Sequence, residues 1–285
     1  MKINIKRIYF KIKNIAQKTE SHPLTKNKVF FALFRYISFN VIQNIYSKPR
    51  VYDWISNLKF YAQKGDAGIV GNIYFKLFDY EDSMFLMDHL NQKDLFVDVG
   101  ANVGHYTLLA AGVCGCEVIA IEPIPSTFYK LNKNINLNDL NEKVKTFNIG
   151  IGQKKSLLNF TTNNDVMNSV AGENDKFVIK IEVKRLDDIL ENKNPVFLKI
   201  DVEGYEYFVL KGADEVLKNK SLKFILIEIN GSSLKFGHTN KEIFELLISY
   251  NFIPIRYDVS HKKVNFVKSY NEDKFNTIFI RNKIN

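Results

Sequence analysis

Two short runs of this chain carry residue types that could do chemistry together. The first is Asp98-Val99-Gly100-Ala101-Asn102-Val103-Gly104. Gly100 and Gly104 permit a tight turn and a close backbone approach to a ligand. Asp98, just before the turn, can accept a hydrogen bond from a ligand ammonium. The helix start after Gly104 offers N–H groups to a carboxylate. Glu122 follows 22 residues after Gly100, and an acid there can take both hydroxyls of a ribose. An ammonium and a carboxylate describe the methionine end of S-adenosylmethionine, and the ribose acid leaves two nucleoside readings, NAD and S-adenosylmethionine. The dinucleotide fingerprint is G-x-G-x-x-G, and Asn102 occupies its middle glycine, which leaves no close-approach glycine for a pyrophosphate. The donor-binding set read from these turns is Asp98, Gly100, Ala101, Asn102, Gly104, Glu122 and Pro123.

The second run is Lys199-Ile200-Asp201-Val202-Glu203-Gly204-Tyr205-Glu206. Alternate residues of an extended segment share a side, so Asp201 and Glu203 face the same way. Two carboxylates and a lysine on one rim can hold a metal, act as base, or orient a substrate. Glu206 reads instead as a helix-start acid. Glu228-Ile229-Asn230 brings further oxygens, and the 27-residue separation of Asp201 from Glu228 puts both at adjacent strand ends. Asp201, Glu228 and Asn230 form an oxygen-ligand set suited to Mg²⁺ or Mn²⁺. Asp201, Glu203 and His105 are the candidate catalytic residues. His105 reads either as a base beside the donor or as a helix-start residue, and His238 is the other histidine to which an active centre could move.

Strands and helices must alternate to position these runs. Apolar runs at 95–99, 118–121, 144–149, 196–200 and 222–229 read as buried strands. Helices are expected at 106–113, at 126–137 with Ser126 as N-cap, at 186–190, at 205–217 and at 241–250. Residues 252–258 and 276–281 close the sheet. Residues 150–184 break the rhythm, and LLNF and FVIKIEV within them read as an inserted β flap. This alternation implies an α/β fold, a doubly wound, mostly parallel, seven-stranded sheet with ligands at the carboxyl ends of its strands. The expected division is 1–90 as a basic, mostly helical extension and lead-in, and 91–285 as the donor-binding domain.

With the motifs placed, a resemblance becomes specific. DLFVDVGANVGHYTLLAA, IEPIPSTFYKL and FLKIDVEGYEYFVLKGA are similar, in order and spacing, to segments of FkbM-type methyltransferases. The likeness runs from about residue 70 to 255. It implies a class I, Rossmann-like fold, S-adenosylmethionine as donor, and O-methylation of a hydroxyl on a sugar, glycan or small metabolite. It carries donor-binding roles to Asp98, Gly100, Asn102, Gly104 and Glu122. His105 departs from the pattern, which has an aromatic residue there. The alternative enzyme reading is a nucleic-acid or small-molecule N-methyltransferase; nucleic-acid amine methyltransferases place a [DNS]-P-P-[YFW] turn where this chain has Asp201-Val202-Glu203-Gly204, which counts against the nucleic-acid version. The competing non-enzymatic reading is a membrane-associated scaffold with an inactive nucleoside fold.

The bulk composition is that of a globular protein, with 46% hydrophobic and 25% charged residues among 285. The net charge of +9 is unevenly distributed. Residues 1–50 hold 11 Lys+Arg against the single acid Glu20, and the remainder is close to neutral. A catalytic part near neutrality does not ask for a nucleic-acid substrate. The basic helical pattern at the start can rest on an anionic membrane or dock on its own domain. The apolar run at 29–46 contains Arg35, Asn40 and Asn44 and reads as a buried helix or a self-association face rather than a bilayer span. No cleavage site follows the basic start, so a cytoplasmic protein is expected, in peripheral contact with the membrane or as a homo-oligomer. Cys114 and Cys116 are too close for a good disulfide and read as two small buried side chains.

Overall fold

In a computed structural model, residues 5–161, 170–171 and 177–282 are described. The chain divides into two compact units, residues 1–80 and 81–285.

The first unit begins with helices α1 (Ile5–Ser21) and α2 (Val29–Ile45), and the His22-Pro23 break lies between them. Strands β1 (Arg50–Asp53) and β2 (Lys59–Ala62) form an antiparallel ribbon, followed by helix α3 (Ala67–Phe75). Aromatic rings fill its core: Phe39 of α2 lies edge-on to Tyr74 of α3 at 5.8 Å, and Trp54 edge-on to Phe60 at 5.6 Å. The expectation of a buried helix at 29–46 holds for one side of α2 only. Ala32, Phe39 and Gln43 are buried, whereas Phe30, Phe31, Phe34, Ile37, Val41 and Ile45 are exposed. The unit is too small to wrap a helix that is apolar all round. Among the described residues, no helix is long and apolar enough to cross a membrane.

The second unit opens with α4 (Tyr80–His89) and β3 (Leu95–Val99), then α5 (His105–Leu108), which widens into a π-helical turn at Leu109–Cys114. β4 (Glu117–Ile121), α6 (Pro125–Leu137) and β5 (Val144–Phe147) follow. Ser126 does not cap α6: Pro125 takes the first helical position, which needs no N–H, and Ile124 precedes it. β6 (Gly150–Ile151), β7 (Ser156–Thr161) and β8 (Val178–Lys184) make a separate three-stranded sheet. Within 150–184, residues 162–169 and 172–176 lie outside the described set. The chain continues through α7 (Leu186–Ile189), β9 (Phe197–Ile200), α8 (Glu206–Lys211), α9 (Asp214–Lys218), β10 (Phe224–Glu228) and α10 (Asn240–Ser249). It closes with β11 (Phe252–Asp258), β12 (Lys263–Phe266) and β13 (Asn276–Arg281). The single helix expected at 205–217 is thus two, broken at Gly212. A Cβ on Gly212 would sit 2.0 Å from the Gly152 carbonyl oxygen, so the chain bends where two backbones meet.

The main sheet has the order β12-β11-β13-β10-β9-β3-β4-β5. It is α/β and mostly parallel: β10, β9, β3, β4 and β5 are all parallel neighbours, and the other pairings are antiparallel. It has eight strands where seven were expected. The eighth, β12, is a largely exposed edge strand, so burial leaves no apolar signature on it. The chain runs outward from β3 to β4 and β5, then returns to lay β9 and β10 on the other side of β3. Right-handed crossovers in opposite directions put helices on opposite faces, which makes the sheet doubly wound. β9 is buried at every position, as a strand covered on both faces must be. The order reverses between β3 and β9, so the carboxyl ends of these two strands open the crevice where such sheets bind ligands.

Candidate active site

At that crevice the backbones of both motifs touch. Val99 pairs with Ile200, and the Asp201 N–H donates to the Val99 carbonyl at 3.0 Å. The chain then turns at Gly100, whose φ of +78° favours glycine. A Cβ there would lie 1.8 Å from the Asp201 carbonyl oxygen. The N–H groups of Gly100 and Ala101 both donate to Ile121 at the end of β4, each at 3.0 Å. Gly104 closes the turn by donating to the Ala101 carbonyl at 2.9 Å, with φ +102°.

Glu122 is buried and fastens the two turns together. One of its carboxylate oxygens accepts from the Asn102 N–H at 3.0 Å, the other from the Ile124 N–H at 2.9 Å. Burial pushes its pKa up to about 7 despite those two bonds. Asn148 braces the same corner, its Nδ2 donating to the carbonyls of Glu122 and Pro123 at 2.9 and 2.8 Å. Asn102 sits at φ +51°, and its Oδ1 is buried with no hydrogen-bond partner among the described residues. An unpartnered buried acceptor at a strand-end crevice suits a donor-bearing ligand.

Lys199 is the charge at the centre. Its Nζ lies 3.2 Å from Asp201 Oδ2, 3.7 Å from Asp98 Oδ1 and 3.4 Å from the Gly100 carbonyl, with the Tyr106 ring centroid at 5.2 Å. Burial opposes its charge, but Asp201 and Asp98 outweigh it and raise its pKa. Asp98, fully buried, also accepts from Thr107 Oγ1 at 2.7 Å, and burial raises its pKa. Its carboxylate is therefore engaged by Lys199 and Thr107. The signal for Lys199 lay in the sequence, because it stands two residues before Asp201 on an extended strand and must share its side.

Asp201, Glu203 and Glu228 converge: one carboxylate oxygen from each lies within 4.8 Å of the others. Their positions follow from register, since Ile200 pairs with Ile227, so Asp201 just past the end of β9 and Glu228 at the last position of β10 stand at the same level. Glu203 holds a φ of +55°. Glu206 secures this turn, one carboxylate oxygen accepting from the N–H groups of Val202 and Gly204 at 3.1 and 3.0 Å and the other from Ser233 Oγ at 3.0 Å. It is thus a clamp on the turn as well as a helix-start acid. Burial, with the neighbouring Asp201, pushes Glu203 up to about 7 and raises Glu228 further.

Two expected members stand outside this carboxylate cluster. Asn230 is exposed and its Oδ1 accepts from the Ser232 N–H at 2.8 Å, so Glu203 takes its place in the oxygen cluster. His105 is buried, with Nε2 2.9 Å from Ser83 Oγ, and burial lowers its pKa to about 3. An imidazole so held is neutral near pH 7 and a weak base. His238 stacks on Tyr207 at 3.7 Å, with Nδ1 3.5 Å from Glu242.

A family model described as the methyltransferase FkbM domain matches residues 98–254, more than half of the chain. The chain belongs to the FkbM methyltransferase family. The match begins at Asp98 and takes in the whole crevice, both turns and all three clustered carboxylates. The FkbM assignment makes it an S-adenosylmethionine-type methyltransferase. Among curated relatives, it is 27% identical over 176 residues to methyltransferase sdnD of Sordaria araneosa, covering 49% of this chain and 67% of the relative. It is 26% identical over 130 residues to the hexuronic acid methyltransferase AglP of Haloferax volcanii, covering 45% of this chain and 53%, about half, of that protein. A solved S-adenosylmethionine-dependent O-methyltransferase of Thermotoga maritima aligns at 13% identity and a TM-score of 0.42, over 84% of this chain and 80% of that one.

Proposed function

We propose that this FkbM protein transfers the methyl group of S-adenosylmethionine to a hydroxyl oxygen on a sugar, glycan or small metabolite. The observation that carries the reading is the convergence of Asp201, Glu203 and Glu228 beside the Gly100 turn. S-adenosylmethionine supplies a methyl carbon already activated by its sulfonium, so the protein must chiefly align the acceptor and take its proton. The turn at 100–104 and Glu122 would hold the donor, with Asn102 Oδ1 offering an unpartnered acceptor to it. A neutral hydroxyl suits a rim of three carboxyl groups, whose oxygens can accept its hydrogen bond. Glu203, raised to about 7, has the proton affinity to receive a hydroxyl proton near neutral pH. Lys199 holds Asp201 in place beside it. A relative named for a hexuronic acid supports a carbohydrate acceptor.

A second reading has a specific observation behind it: the same three oxygens are close enough to share one Mg²⁺ or Mn²⁺ ion. The test is a screen of sugar, nucleotide-sugar and small-metabolite acceptors with labelled donor, followed by Asp201→Asn on any acceptor found. Turnover should fall by about 10²–10⁴ while donor affinity changes little. Silencing by a chelator, with rescue by Mg²⁺ or Mn²⁺, assigns the cluster to an ion; indifference to chelation assigns it to the proton. Near wild-type turnover of Asp201→Asn, or label appearing only on nitrogen acceptors, rejects the proposal.

A further inference from the structure

The outer face of α2 remains in water although it is built of apolar side chains. Phe30, Phe34, Ile37, Val41 and Ile45 recur every three or four residues and so form one stripe, with Phe30 75% and Ile45 67% exposed. Phe31 adds to its first turn. The opposite side of the helix is spent on its own unit through Ala32, Phe39 and Gln43. Arg35 is the helix's one charged residue, and it donates to the Tyr74 carbonyl at 2.6 Å. The stripe therefore carries no charge. Exposed lysines and an arginine stand just beyond each end: Lys26 and Lys28 before it, Lys48 and Arg50 after it. A contiguous apolar face of this kind marks an interaction surface.

We propose that this face of α2 docks on an anionic lipid bilayer, with the helix lying in the plane of the headgroups. Charge decides between the two occupants an apolar stripe admits. Residues 1–50 carry 11 Lys+Arg and one acid. A second copy would bring an equally basic unit against the first, and like charges would oppose the pairing. A leaflet of acidic lipids attracts the same residues, and the phenylalanines fit the boundary between headgroup and acyl chain. The helix has 17 residues, roughly 25 Å, and includes Asn40 and Asn44, so it suits lying on the membrane rather than spanning it.

The test is sedimentation of the full chain with vesicles of phosphatidylglycerol and phosphatidylcholine, against vesicles of phosphatidylcholine alone. Binding is expected only to the acidic vesicles, and it should be lost as salt approaches roughly 0.5 M and screening shortens to a few Å. Two variants probe the two halves of the surface independently. Phe30→Ser/Phe34→Ser/Ile37→Ser removes the stripe, and Lys26→Glu/Lys28→Glu/Lys48→Glu reverses its flanks. Each should weaken binding by on the order of tenfold or more. Circular dichroism checks that each variant is folded, and if the first is not, the second still decides. Equal binding to neutral vesicles, no binding to acidic ones, or unchanged binding by a folded variant would overturn the proposal. So would a lipid-free dimer that the serine variant converts to monomer.

Discussion

Glu122 ties a sequence signal to a stability cost. Its place after β4 marked it as a ribose ligand, but nothing in the sequence showed that both of its oxygens are also held by backbone N–H groups. Those partners come from the Gly100–Gly104 turn and from Ile124, so they are visible only once the strands are side by side. A buried acid whose pKa is raised to about 7 binds its proton more tightly in the folded chain than in the unfolded one, where the value is 4.5. Its contribution to stability is therefore present below pH 4.5 and falls as pH rises to 7, by on the order of 3 kcal/mol at most. Glu122→Gln cannot titrate, and it offers one acceptor oxygen where two are used. We expect its unfolding free energy in urea to decline less between pH 5 and 7 than the wild type's. Its donor affinity should drop by about 1–3 kcal/mol in a calorimetric titration. An unchanged slope would mean that Glu122 is ionised throughout. The other residues the sequence left obscure have the same cause. Glu206 looked like a helix-start acid because its partners Val202, Gly204 and Ser233 are assembled by a turn and a distant loop. His105 gave no sign of Ser83, which lies on the preceding helix.

At the scale of elements, periodicity located the strands well and their interruptions poorly. β3 was legible to the residue because a strand buried on both faces is an unbroken apolar run closed by a glycine turn. The break between α8 and α9 was not legible, because Gly212 is demanded by the backbone of Gly152, 60 positions earlier. β12 escaped because an exposed edge strand need not alternate. The turn after β3 was read for its ligand, and the structure adds a packing reason of equal force. With φ at +78° and the Asp201 carbonyl 1.8 Å from where a Cβ would stand, Gly100→Ala must strain its own backbone and push β3 and β9 apart. The expected cost is about 2–4 kcal/mol, at the severe end for one methyl group. Because the displaced carbonyl belongs to Asp201, turnover should fall with stability. Denaturant unfolding measures the first and a labelled-donor assay the second. Wild-type values in both would mean that the two loops are not in contact.

The whole molecule divides its charge as it divides its fold. The unit of residues 81–285 holds 26 Lys+Arg and 27 Asp+Glu, a net of −1, so the first 80 residues account for all of the excess positive charge. Everything the methyltransferase reading uses lies in the second unit: the eight-stranded sheet, the family match at 98–254, and the crevice. Each strand of that sheet pairs only with strands of the same unit, and the large core cluster around Val97, Leu198 and Ile225 is drawn from it entirely. A fragment of residues 81–285 should therefore fold cooperatively and bind S-adenosylmethionine within a few-fold of the full chain, since it retains its own core and the whole donor cradle. Its behaviour on a column should differ sharply: at pH 7 the full chain should be retained by a cation exchanger and the fragment should pass through. Urea unfolding, donor titration and ion-exchange elution check the three parts separately. A fragment that aggregates or unfolds without cooperativity would show that the first 80 residues complete the fold. One that folds but has lost the donor would show that they complete the site.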